Sequence, residues 1–258
     1  MSRWLRNARR RIICLSAAVA VPLLAGVFTP AAADFKVLSP IVTKGEFEIE
    51  SAGSVTRGRH RDGEEHQSYT TSLGNTFTDF WQAELEGELS QEPDEGLKYA
   101  ATNFENIFQI LPQGEYWLDL GLLAEYSRAK RAGANDAVEF GPLLQKQFGD
   151  FLTTLNVTLE KQIGSRSEAG TEIGYGFQAR YRWWPGLEPG IEVFGDMGEI
   201  THLKAADRQA HRAGPVLFGT LRLGNGGKIK YEAGYLIGLT RNTPDGTVKF
   251  LLEYEVAF

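Results

Sequence analysis

Val248-Lys249-Phe250-Leu251-Leu252-Glu253-Tyr254-Glu255-Val256-Ala257-Phe258 closes the chain. Val248, Phe250, Leu252, Tyr254, Val256 and Phe258 take every second place, with Lys249, Glu253 and Glu255 between them. Neighbouring side chains on a β-strand point to opposite sides. This spacing therefore predicts a strand with one wholly apolar face and one charged face.

The same pattern recurs upstream. Trp81-Gln82-Ala83-Glu84-Leu85-Glu86-Gly87-Glu88-Leu89 sets Gln82, Glu84, Glu86 and Glu88 against apolar or small residues. A helix would spread these glutamates around most of a cylinder and leave no apolar stripe. Leu118, Leu120, Leu122, Ala124 and Tyr126 oppose Asp119 and Glu125, and Leu155, Val157 and Leu159 oppose Asn156, Thr158 and Glu160. Ile173, Tyr175, Phe177, Ala179 and Tyr181 oppose Glu172, Gln178, Arg180 and Arg182. Ile229, Tyr231, Ala233, Tyr235 and Ile237 oppose Lys230 and Glu232.

The interruptions alternate in length. Short ones fall at 75–79, 111–115, 149–150, 184–187 and 224–227, and longer polar ones at 57–66, 90–96, 128–135, 163–170, 199–212 and 240–246. They separate about 12 strands. Short turns at one end, longer loops at the other and an even strand number predict an all-β, transmembrane, antiparallel up-and-down β-barrel. Phe80, Trp81, Tyr116, Phe148, Trp183 and Trp184 fall near strand ends, where an aromatic girdle belongs. The competing reading is a water-soluble β-sandwich or lipocalin-like barrel.

Residues 1–33 read as a signal peptide. Arg3, Arg6, Arg9, Arg10 and Arg11 precede an apolar stretch from Ile12 to Phe28, and Ala31-Ala32-Ala33 offers a cleavage site before Asp34. The alternative is an uncleaved anchor. Arg9-Arg10-Arg11 is a partial twin-arginine match, and ordinary unfolded export is the preferred route. Cys14 lies inside this segment, so the mature chain has no cysteine and no disulfide. Cleavage lowers Lys and Arg from 27 to 22 against 33 Asp and Glu, a net charge of −11. That balance argues against nucleic-acid binding. Residues 34–44 are expected as a periplasmic lead-in and 45–258 as the barrel.

If the apolar face meets lipid, the other face lines the lumen. Its expected acidic members are Glu84, Glu86, Glu88, Asp119, Glu125, Glu139, Glu160, Glu172, Glu192, Asp196, Glu232, Glu253 and Glu255. The basic ones are Arg180, Arg182, Arg222, Lys230 and Lys249. Twelve strands about 4.8 Å apart and tilted about 40° give a backbone radius on the order of 12 Å. Side chains then leave a narrow passage with a cation preference, or pair across the lumen and plug it.

Pro142, Pro189 and Pro215 fall within strands, and a proline there marks a bulge or a strand end. Gly141-Pro142-Leu143-Leu144 and Gly214-Pro215-Val216-Leu217 are read as a shared structural kink, with an inward bulge as the alternative.

Catalytic signatures are absent. His60, His66, His202 and His211 fall in expected long loops, and neither G-x-S-x-G nor H-E-x-x-H occurs. No catalytic residue, metal site or cofactor is expected. An enzyme of the same membrane is the weaker alternative, and a solvated loop is preferred over a metal site at His60 and His66.

The closing strand resembles the C-terminal recognition strand of bacterial outer-membrane barrels, with Tyr254, Val256 and Phe258 as the assembly signal. The resemblance implies outer-membrane lipid and the barrel-assembly machinery as partners. Glu115-Tyr116-Trp117-Leu118-Asp119-Leu120-Gly121-Leu122, Glu139-Phe140-Gly141-Pro142-Leu143-Leu144 and Leu251-Leu252-Glu253-Tyr254-Glu255 resemble segments of a proteobacterial barrel group similar to barrels assigned to the meta-pathway of phenol degradation. The resemblance spans most of the mature chain. It implies passage of small hydrophobic or aromatic compounds and offers no catalytic residue. The expected function is a passive outer-membrane channel for small solutes. The alternative is a non-conducting structural or surface-interaction barrel acting through its loops.

Overall fold

The computed structural model describes residues 35–58, 65–91, 96–131, 133–164, 167, 170–224 and 226–258. The expected signal peptide and His60 lie outside the described residues.

Strands β1 (Glu46–Arg57), β2 (Glu65–Thr76), β3 (Trp81–Ser90) and β4 (Lys98–Gln109) open the sheet. They are followed by β5 (Asp119–Ala129), β6 (Asp136–Phe148), β7 (Phe151–Ile163), β8 (Glu172–Tyr181) and β9 (Glu188–Glu199). A two-residue strand, β10 (His202–Leu203), folds back on the end of β9. Strands β11 (Ala210–Arg222), β12 (Lys228–Gly238) and β13 (Gly246–Ala257) complete the circuit. Apart from β10, each strand pairs antiparallel with its sequence neighbour, and β13 pairs with β1 from Glu46↔Ala257 to Arg57↔Gly246. The result is a closed barrel of twelve strands. Closure pairs every strand on both sides, which a lipid environment requires because it supplies no hydrogen bonds.

The alternation read in the sequence is the inside–outside alternation of the wall. On β13, Val248 is 52% exposed and Phe250 42%, while Lys249 and Glu255 between and beyond them are 3% and 1% exposed. Many large apolar side chains face outward around the barrel, among them Ile49, Leu73, Leu85, Phe104, Leu122, Phe140 and Ile191. A continuous apolar surface of this kind suits hydrocarbon and would aggregate in water. Phe80, Tyr116, Phe148, Trp183 and Trp184 stand exposed around the short-turn end, as a girdle requires.

Residues 34–44 were expected as a lead-in outside the barrel, and here the structure differs. Residues 35–42 form a strap across the lumen. Leu38 and Val42 pack on Ile107, Leu123 and Leu143. Phe35 and Val37 pack on Phe194, Val216, Phe218 and Leu236. The Leu38 N–H donates to Asn156 Oδ1 at 2.6 Å, and Asn156 Nδ2 donates to the Leu38 carbonyl at 2.9 Å. The Val42 N–H donates to Gln109 Oε1 at 3.0 Å. The physical reason lies in the wall. Ile107, Leu123, Leu143, Phe194, Val216 and Phe218 are apolar residues at inward positions, and Leu38, Val42, Phe35 and Val37 cover them.

Two further expectations change. Pro142 and Pro215 point outward in the middle of β6 and β11 and end neither strand, whereas Pro189 is the second residue of β9, at a strand end as expected. Pairing of β6 with β7 skips Gly141 and Pro142, and pairing of β11 with β12 skips Gly214 and Pro215, yet the register is the same on both sides of each gap. The motif interrupts hydrogen bonding without adding a residue, so it is not a bulge. Glycine is required there because a Cβ on Gly141 would collide with the Val157 carbonyl oxygen, and one on Gly214 with that of Tyr235. His66 and His211 lie in β2 and β11 rather than in loops, and His202 in β10. His211 Nδ1 is 3.1 Å from the Tyr175 hydroxyl, and its Nε2 is 2.8 Å from Gln209 Oε1.

Candidate functional site: the lumen

The strap divides the interior. Toward the long loops an open cavity of about 1090 Å³ runs from Phe35, Lys36 and Leu38 at its floor to Ser90, Lys98, Arg131 and Asn135 at the rim. Among the described residues its wall carries eight carboxylates: Glu86, Glu88, Glu105, Glu125, Glu139, Glu160, Glu172 and Asp196. Five basic side chains share it, Lys36, Lys98, Lys130, Arg131 and Arg212. Two of the period-two glutamates of β3, Glu86 and Glu88, and the single glutamates of β4 to β8 thus converge on one volume.

The remaining expected lumen residues divide into buried ionic clusters and rim positions. Lys249 donates to Glu192 Oε2 at 2.7 Å, to Glu232 Oε2 at 3.0 Å and to the Phe35 carbonyl at 2.5 Å. Gln178 Nε2 donates to the other Glu192 oxygen at 3.0 Å. This cluster ties β8, β9, β12 and β13 to the first described residue of the strap. Lys230 bonds Glu253 at 3.3 Å and also Glu255, while Lys228 bonds Glu46 at 2.7 Å and the other Glu255 oxygen. Arg180 and Arg182 approach the two oxygens of Glu188 at 3.5 and 3.6 Å. Arg182 lies just beyond β8 and Arg222 ends β11, both at the short-turn rim. Asp119 begins β5 and accepts the Gly114 N–H at 2.7 Å, so it holds a turn together. Asp196 binds Lys204 at 3.1 Å and the Gly198 N–H at 2.7 Å near the long-loop rim.

A third cluster joins strap to wall. The Lys36 Nζ lies 2.9 Å from Glu50 Oε1, 3.2 Å from Glu86 Oε2 and 3.8 Å from Glu84 Oε1. Asn103 Nδ2 donates to the other Glu86 oxygen at 2.7 Å. Buried ion pairs recover their desolvation cost only when geometry and hydrogen bonding are good. Their service here is to fix the strap in one position.

Sequence reasoning missed Glu46, Glu48, Glu50, Glu105, Glu188 and Lys36. Glu46-Phe47-Glu48-Ile49-Glu50 has the same period as β3 and was open to the same test. Glu105 was harder to find, because Asn103, Glu105 and Ile107 mix polar and apolar residues on the inward face of β4. Lys36 carried no signal, since nothing local says that the strap enters the barrel.

No protein-family model matches the chain, and no curated protein is similar to it in sequence. Solved structures do resemble it. An outer membrane channel from Pseudomonas putida F1 superimposes with a TM-score of 0.60 at 14% identity, covering 89% of this chain and 99% of that one. The translocator domain of the autotransporter NalP from Neisseria meningitidis gives 0.49 at 13% identity, covering 84% and 90%. The CymD monoaromatic hydrocarbon channel gives 0.48 at 8% identity, covering 84% and 89%. The first of these likenesses supports the outer-membrane barrel fold.

Proposed function

We propose that this chain is a passive channel of the bacterial outer membrane for small solutes, with a preference for cations. The observation that carries the reading is the cavity of about 1090 Å³ inside a closed, lipid-compatible barrel, its wall richer in carboxylates than in basic groups. Carboxylate-lined passages raise the local concentration of cations and exclude anions. The resemblance to barrels of phenol degradation implies a hydrophobic or aromatic cargo, but the charge of the wall favours a polar, positively charged one. Export by a signal peptide cleaved after Ala33, and insertion by the barrel-assembly machinery reading Tyr254, Val256 and Phe258, complete the proposal.

The strap favours a second reading. Its apolar contacts on both sides of the lumen suit a barrel that does not conduct and acts through its loops. Planar-bilayer recording of the refolded chain 34–258 separates the two. Discrete current steps support the channel, and a folded barrel that stays silent supports the loop reading.

A further inference from the structure

Five carboxylates of the cavity, Glu105, Glu125, Glu139, Glu160 and Glu172, continue a row that starts at Glu84 in the strap cluster. In the strand register Glu84 lies directly opposite Glu105, Glu105 opposite Glu125, and Glu125 opposite Glu139. Glu139 lies opposite Glu160, and Glu160 opposite Glu172. Six neighbouring strands, β3 to β8, each contribute one glutamate to a single cross-strand row. Like charges placed directly opposite destabilise a sheet, so local packing does not explain the row. Directly paired positions lie about 5 Å apart. Because the strands tilt by about 40°, each step around the barrel also climbs roughly 3 Å along its axis. The row is therefore a rising ladder. Glu84 stands three residues above the start of β3 at the short-turn end, and Glu172 begins β8 at the long-loop end.

The foot of the ladder is already occupied by a cation. Glu50, Glu84 and Glu86 present oxygens within 4.8 Å of one another, and the Lys36 ammonium sits among them. An ammonium has three N–H donors and here meets three carboxylates. The match is incomplete. The Glu84 side chain is 8% exposed, and its Oε1 takes no hydrogen bond although it faces the site at 3.8 Å from Lys36. A buried carboxylate oxygen without a donor is costly, and three carboxylates exceed one ammonium in charge.

We infer that the ladder and its foot form a binding track for linear aliphatic diamines and oligoamines, with the Lys36 ammonium acting as a tethered competitor for the lowest position. The track deepens the channel reading and rests on it for transport, though not for binding. A chain whose ammonium groups are three or four carbons apart sets its charges at about the spacing of adjacent rungs. A monoamine engages one rung only. Mg²⁺ keeps several of its own waters and takes only one or two carboxylates, so a single hydrated ion gains little from a row of rungs about 5 Å apart, and at the foot it would have to displace the Lys36 ammonium. Lys36 holds the site at the millimolar effective concentration typical of a short tether, which keeps the resident affinity for free amines low and reversible.

Isothermal titration of the refolded chain 34–258 in detergent, with 1,4-diaminobutane, 1-aminobutane and Mg²⁺ as probes, tests this. Each variant is first checked for the β-barrel circular dichroism spectrum. The diamine is expected to bind at least tenfold more tightly than the monoamine or Mg²⁺. Lys36→Met is expected to tighten diamine binding about tenfold, Lys36→Arg to leave it near the unmodified value, and Glu125→Gln, on the ladder and away from the strap, to weaken it severalfold. Should Lys36→Met fail to fold, the probe comparison and Glu125→Gln still decide. Equal binding of mono- and diamine, tighter binding of Mg²⁺, or no effect of Glu125→Gln overturns the inference. A barrel that conducts but binds no diamine defeats the track alone, and one that binds diamine in silence defeats the channel alone.

Discussion

Lys249→Met removes one ammonium from the most enclosed ionic cluster of the lumen. Lys249 is 3% exposed and Glu192 0%. The substitution keeps most of the apolar stem but removes the ammonium bonded to both Glu192 and Glu232, leaving Arg180 as the cation that still opposes their charge. It also frees the Phe35 carbonyl, to which Lys249 donates at 2.5 Å. Removing one partner of a buried pair costs about 3–5 kcal/mol, and the lower end applies here because Gln178 still donates to Glu192. With a urea dependence of about 3 kcal/mol per molar, the midpoint of unfolding in micelles falls by roughly 1 M. The companion Lys249→Met/Glu192→Gln removes one of the two stranded charges and should recover more than half of the loss. A double-mutant cycle with Glu192→Gln then gives a coupling of about 1–3 kcal/mol. A midpoint shift of less than about 0.3 M for Lys249→Met, or additive behaviour in the cycle, would show that water reaches this cluster and that the strap is not held there.

Other consequences follow from the wall and the strap. Gly141→Ala pushes a methyl group into the Val157 carbonyl, so overpacking should cost about 2 kcal/mol or prevent folding, read as the urea midpoint or the loss of barrel circular dichroism. Deleting residues 35–42 should enlarge single-channel conductance severalfold, since the strap is the material that crosses the lumen; unchanged current would place the constriction elsewhere. Phe258→Ala should leave the unfolding free energy within about 0.5 kcal/mol, because the side chain is 93% exposed, yet should lower the amount of barrel inserted in cells; a large loss of stability with normal insertion would contradict its role as an assembly signal. Removing residues 204–208 from the loop after β10 should leave both assembly and conductance intact, and a silent barrel would show that this loop shapes the passage.

The barrel was legible because lipid on one side and a charged interior on the other force a period of two. Trp81–Leu89 and Val248–Phe258 state that period almost without exception, and the loop lengths state which end is which. The interior was legible only in part. Alternation assigns Glu84, Glu125 or Lys249 to the inner face, but it does not say that Lys249 meets Glu192 and Glu232, because those partners come from strands distant in sequence. Nor does it give the glutamate row, which exists only once register is fixed. Glu84 and Glu105 are 21 positions apart and Glu139 and Glu160 again 21, while Glu125 and Glu139 are 14 apart, so no constant interval betrays the ladder. The strap was the least legible part. Phe35 to Val42 alternates weakly and sits next to an expected cleavage site. Only the apolar residues at inward positions, Leu123 and Leu143 on one side and Phe194 and Phe218 on the other, hint that something must cover them.

The zero-current potential of the refolded chain 34–258 under a tenfold KCl gradient tests the central claim most directly. The account predicts discrete openings whose reversal potential carries the sign of K⁺ selectivity, shifting toward zero when Glu105 and Glu125 are both changed to Gln. A Cl⁻-selective potential, or K⁺ selectivity that survives the double change, would contradict it.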